Sequence, residues 1–101
     1  MNKPYYAVIF TNTQSKNLEG YNEMAEAMEK LAKKQPGYLG FENARNELGI
    51  AISYWETLED IKNWKAKSEH LEAQSKGKNN WYSWYKVRIC KVEREYEYNN
   101  L

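Results

Sequence analysis

With 101 residues the chain is expected to form a single domain spanning 1–101, and 15 basic residues against 14 acidic ones leave a formal net charge of +1. Lysines alternate with glutamates instead of clustering, which argues against a nucleic-acid partner. The single cysteine, Cys90, rules out an intrachain disulfide, and one histidine with no Cys-x-x-Cys pair and no acids clustered around it gives no metal signature.

Met1-Asn2-Lys3-Pro4 runs straight into a strand without the apolar core of a signal peptide. The longest apolar or aromatic run, residues 5–10, is far too short to cross a bilayer. A soluble cytoplasmic protein with no membrane partner is the expectation. Residues 5–12 read as the first strand, apolar on both faces: Tyr6, Val8 and Phe10 on one side, Tyr5, Ala7 and Ile9 on the other. Residues 11–17 are polar and read as a loop.

Over residues 20–34, Tyr21, Met24, Ala25, Met28, Leu31 and Ala32 recur at helical spacing, with Glu26/Lys30 and Glu29/Lys33 as i,i+4 pairs on other faces. Pro36-Gly37 stops this helix. Residues 36–56 read as a hairpin. Leu39 and Phe41 alternate along one strand, Ile50, Ile52 and Tyr54 along the next, and Asn46-Glu47-Leu48-Gly49 supplies the turn. Thr57, with an acid three residues on, is the expected N-cap of a second helix in which Leu58, Ile61 and Trp64 share a face. Ser68 either caps a further turn or lies in a continuation through residue 76 that carries His70, Leu71 and Gln74. Residues 82–96 read as a long last strand. Trp84, Lys86, Arg88, Cys90 and Val92 share one alternation and Tyr85, Val87 and Ile89 the other, so a bulge near Cys90 or burial on both faces is expected.

The order is βαββαβ, a ferredoxin-like α+β fold with a four-stranded antiparallel sheet. Two helices cover one face of such a sheet, yet the first and third strands are apolar on both. Pairing of the second face with another copy follows, so a homodimer is expected.

Candidate chemistry rests on polar residues set among apolar ones. Asn12 ends the first strand on the side of Val8 and Phe10. Asn43 and Arg45 continue the Leu39/Phe41 alternation, and Arg88 lies in mid-strand. Trp64 follows an apolar helix stripe, and His70 and Gln74 lie one turn apart. His70 is the only side chain that titrates near neutral pH in its unperturbed state. Each has a structural alternative: Trp64 as core, Asn12 as a strand-end turn residue, His70 as a helix-packing side chain, and the arginines as surface or interface charges.

Several elements together resemble the antibiotic biosynthesis monooxygenase family of the dimeric α/β-barrel superfamily: Tyr6-Ala7-Val8-Ile9-Phe10, Pro36-Gly37-Tyr38-Leu39-Gly40-Phe41, Tyr54-Trp55-Glu56, Ile61-x-x-Trp64 and Tyr85-x-x-Arg88. The resemblance implies two subunits whose sheets close into a barrel. It also implies an activity: cofactor-independent oxidation of a phenolic, quinol or polyketide-like aromatic by dioxygen, or haem binding and degradation as in other relatives; the remaining alternative is a non-catalytic, small-ligand-binding dimer that keeps the fold. On it Asn12, Trp64 and His70 are the expected catalytic residues. Phe10, Phe41, Gln74 and Arg88 are the expected contacts to a small aromatic ligand. No cofactor and no metal are expected in the first case. In the haem-degrading relatives the histidine ligand falls at the position of Gln74.

Overall fold

Period-2 and period-3.6 patterns alternate along the chain, and the elements follow them. The computed structural model describes residues 3–73 and 81–100. Their order is β1 (Tyr5–Gln14), α1 (Tyr21–Lys33), β2 (Tyr38–Arg45), β3 (Gly49–Trp55), α2 (Leu58–Ala73) and β4 (Tyr82–Val92). The four strands form one antiparallel sheet in the order β2-β3-β1-β4. This is the expected ferredoxin-like arrangement.

Register decides which side chains share a face. Cross-strand rows run Tyr38–Trp55–Tyr6, then Phe41–Ser53–Val8–Ile89, Asn43–Ala51–Phe10–Val87 and Arg45–Gly49–Asn12–Tyr85. These rows face the helices, because Ala32 of α1 and Ile61 of α2 bury Trp55 together with Tyr6, Val8, Tyr38 and Trp64. The intervening rows, such as Glu42–Ile52–Ile9–Arg88 and Ala44–Ile50–Thr11–Lys86, point to the face that neither helix covers. On that face the Tyr54 hydroxyl donates to Glu42 at 2.6 Å. This bond, with lesser contributions from burial and the glutamate's charge, pushes the phenol up to about 12.

Several boundaries differ from those the sequence suggests, each for a reason in the pairing. β1 runs on to Gln14 because β4 continues alongside it after β3 has begun at Gly49, and Thr13 Oγ1 lies 2.7 Å from Ser83 Oγ. β4 stops at Val92, where its partner β1 begins at Tyr5, so residues 93–96 have no strand to pair with. The ladder is regular at Cys90, and the irregularity sits instead between Thr13 and Gln14. Leu39 is passed over between the pairs Tyr38–Trp55 and Gly40–Tyr54, so it leaves the Phe41 alternation. α2 is continuous through Ala73, and Ser68 Oγ donates to the Lys65 carbonyl at 2.9 Å instead of capping a new turn. Expectations for Gln74 and the rest of 74–80 lie outside the described residues.

The entry to α2 matches its sequence signal. Thr57 Oγ1 accepts from the Asp60 amide at 3.0 Å and donates to Asp60 Oδ2 at 2.8 Å. Gly37, at φ 82°, passes so close to the Asp60 carboxylate that a Cβ there would overlap it. Its carbonyl also accepts from the Glu56 amide at 2.8 Å. Gly37→Ala therefore meets both a left-handed backbone and a steric clash, and is expected to lower stability by roughly 2 kcal/mol. Urea unfolding followed by circular dichroism checks this, and an unchanged midpoint would contradict the close approach.

Candidate functional site

The row Arg45–Gly49–Asn12–Tyr85 lies where β1 leaves the sheet, next to the N-termini of β3 and β4. Asn12 is a polar side chain in a hydrophobic setting, only 2% exposed. A buried amide requires partners. Arg45 supplies one: its Nη2 donates to Asn12 Oδ1 across the intervening strand. The bridge is possible because Gly49 stands between them. The nearest atoms to a Cβ built at Gly49 are all from the Arg45 guanidinium, which occupies the space a side chain would fill. Gly49, which the sequence places in the turn, is the first residue of β3, without positive φ, and its missing side chain lets an arginine cross it.

Aromatic rings surround this row. Phe10 packs edge-on to Tyr82 at 5.2 Å and tilted against Tyr85 at 5.4 Å. Tyr21, at the start of α1, meets Trp81 at 5.8 Å and Tyr82 at 6.1 Å. Trp81 is buried and its indole N–H donates to the Glu19 carbonyl at 2.8 Å. Burial chiefly pushes the Tyr82 phenol up, helped by charge interaction and a hydrogen bond with Tyr21 and by the Glu72 carboxylate, while the Arg45 charge pulls it down. Tyr82 thus stays a neutral hydroxyl over the physiological range. Asn12, Arg45, Tyr21, Tyr82 and Glu72 are therefore assembled from β1, β2, α1, β4 and α2.

The expected residues divide into those on this face and those off it. Asn12 and Phe10 are in the cluster. Phe41 is two rows away on the same face, half-exposed on β2. Trp64 is also on this face, stacked on Trp55 at 5.7 Å. It marks the opposite end, since the Tyr6 and Asn12 rows are about 20 Å apart along β1. His70 is elsewhere. Six residues beyond Trp64 places it about 120° around the helix. There it lines an exposed cleft of about 720 Å³ between the helices, with Leu31, Gln35, Asn63, Ala66 and Leu71. Arg88 is on the other face of the sheet, paired with Ile9, so within one chain it does not approach Asn12. Gln74 is outside the described residues. Sequence reasoning noted Arg45 as a polar residue among apolar ones without giving it a catalytic or binding role, and gave Tyr21, Tyr82 and Trp81 no place in a site. The available signal was a charged residue continuing the apolar alternation of β2, together with the aromatic doublet Trp81-Tyr82.

Among the described residues no three His, Cys, Asp or Glu side chains converge as a metal site. No helix among them is long and apolar enough to cross a membrane.

Comparison with known proteins extends this picture. Residues 4–76 match the antibiotic biosynthesis monooxygenase family. The uncharacterised protein YqjZ of Bacillus subtilis is 47% identical over 94 residues, which cover 91% of this chain and 82% of that protein. Among solved structures, SnoaB, a cofactor-independent oxygenase from Streptomyces nogalater, superposes with a TM-score of 0.71 at 8% identity, covering 92% of this chain and 97% of that one. PA3566 from Pseudomonas aeruginosa gives a TM-score of 0.67 at 17% identity, covering 93% and 97%. At such identities the structures speak for the fold, and the family match and the Bacillus relative for kinship. This chain belongs to the antibiotic biosynthesis monooxygenase family.

Proposed function

We propose that the protein is a cofactor-independent monooxygenase that oxidises a phenolic or quinol-type aromatic with dioxygen and works as a homodimer. The observation that carries the reading is the buried Asn12 amide, held by Arg45 beside the rings of Phe10 and Tyr85. With its carbonyl oxygen engaged by Arg45, the amide is oriented so that its N–H donors can meet a ligand oxygen. The nearby guanidinium favours the ionised phenol, and the half-buried rings of Phe10, Tyr21 and Tyr82 on one side of the site strengthen each bond to the developing anion. The electron-rich ring carbon then reacts with dioxygen. For an anthrone, one oxygen atom becomes the new carbonyl. The other leaves as water with the two hydrogens of the oxidised methylene, and the substrate supplies all the electrons. Trp64 closes the far end of the same face. The name of SnoaB, an oxygenase without a cofactor, agrees with this chemistry.

The residues at hand do not suit haem. The chain's one histidine lines the outer cleft between the helices, and Asn and Gln are weak iron ligands. Tyr82 is held neutral by burial and so is poorly suited to bind iron as a phenolate.

Members of the family typically form dimers. The uncovered sheet face, with Ile50 and Trp84 exposed and Ile9, Ile52 and Tyr54 half-exposed, is the surface proposed to meet the second copy.

Oxygen uptake with a panel of anthrones and hydroquinones is the test. Uptake by the native protein that falls in Asn12→Ala supports the reading. No uptake with any of the panel, or a monomer by light scattering, overturns the part concerned.

A further inference from the structure

We propose that Arg45 is a ligand-binding residue that selects an aromatic carrying an anionic oxygen, a phenolate or a carboxylate, and that Gly49 is the notch that makes this possible. The assignment rests on the reading above for the aromatic body of the ligand.

An arginine placed only for stability at a sheet edge would extend into water or pair with a carboxylate. Arg45 instead turns inward over Gly49 and bonds to a neutral, buried amide. One bond to Asn12 uses one of five guanidinium donors, so the remaining N–H groups keep capacity for a second acceptor. The fork suits a carboxylate or phenolate oxygen, and charge-assisted bonds of this kind are roughly twice as strong as neutral ones. The Arg45 charge reaches into the ring cluster, where it pulls the Tyr82 phenol down against burial and the Tyr21 interaction. An anionic ligand oxygen is therefore drawn to the Arg45–Asn12 end, with its ring against Phe10 and Tyr85.

Gly49 is the specific element of this arrangement. A Cβ at this position meets the end of a flexible side chain, so the strand survives the substitution and the guanidinium gives way. Gly49→Ala thus removes the Arg45 charge from its seat while Arg45 itself remains.

The test compares binding of 1-naphthoate with that of its neutral isostere 1-naphthamide by isothermal titration calorimetry on the full chain. In the native protein naphthoate is expected to bind about tenfold more tightly. Arg45→Gln should erase the difference and Arg45→Lys should keep part of it. Gly49→Ala should reproduce the loss with the same far-ultraviolet spectrum as the native protein. Equal binding of the two probes, a preference that survives in Arg45→Gln, or no binding of either probe overturns the proposal. Naphthoate preference without oxygen uptake on anthrones overturns the oxygenase reading and leaves the anion seat standing. Oxygen uptake without naphthoate preference does the reverse.

Discussion

Trp55→Ala is expected to cost about 4 kcal/mol, the largest stability effect of any single substitution considered for this chain. Trp55 is 0% exposed and sits where both helices meet the sheet. Its ring lies edge-on to Tyr38 at 5.6 Å and stacked with Trp64 at 5.7 Å, and its indole N–H donates to Ser53 Oγ at 2.9 Å. Truncation to alanine removes the transfer energy of an indole, leaves a cavity that four elements cannot close together, and strips Ser53 of its donor. A domain of this size has about 5–15 kcal/mol in total, so the variant should be close to unfolding at physiological temperature. Trp55→Phe keeps most of the volume and should cost much less. Urea denaturation monitored at a fixed far-ultraviolet wavelength gives both values. A loss below about 1 kcal/mol for the alanine variant would mean that the core is centred elsewhere.

Asn12→Ala is expected to lower oxygen uptake about 100-fold, the loss typical of removing one preorganised donor from an oxyanion site. It should also cost about 1–3 kcal/mol of stability, because the Arg45 guanidinium loses an acceptor in a partly buried setting. The two readouts separate the roles. A stability loss with unchanged turnover would make Asn12 an architectural residue that fastens the β2 edge to β1. Loss of turnover in a protein whose urea midpoint has moved only modestly places it at the chemistry. Gly49→Ala is the informative companion, because it leaves the Asn12 amide in place and displaces only the arginine that orients it. The rate should fall in that variant too, by less than in Asn12→Ala.

Residues whose environment is local were legible in the sequence. Thr57 and Asp60 form their reciprocal cap because they are three residues apart at a helix start. Pro36-Gly37 ends α1 because proline cannot continue a helix and glycine accepts φ 82°. Asn12 was singled out because a polar side chain on the Val8/Phe10 alternation is conspicuous at period 2. Its anchor was not, because Arg45 is 33 positions away and reaches it only through the β2–β3–β1 register. The surroundings of His70 were not legible for a related reason. Its spacing from Gln74 describes one helix face, but which face meets the sheet is set by the packing of Ile61 and Trp64 on Trp55.

By itself the sequence determined the order βαββαβ, the Thr57 cap of α2 and the family, since each depends on periodicities and short motifs that a chain carries locally. It also established that both faces of β1 are apolar, from which the demand for a second covering layer follows. Only the tertiary structure decided that β2-β3-β1-β4 brings Arg45, Gly49, Asn12 and Tyr85 into one row, that Leu39 drops out of its alternation, and that Arg88 faces away from that row. The physical reason is register. A strand's alternation tells which residues share a face, but only its hydrogen-bonded neighbours tell which face that is and which distant side chains stand opposite.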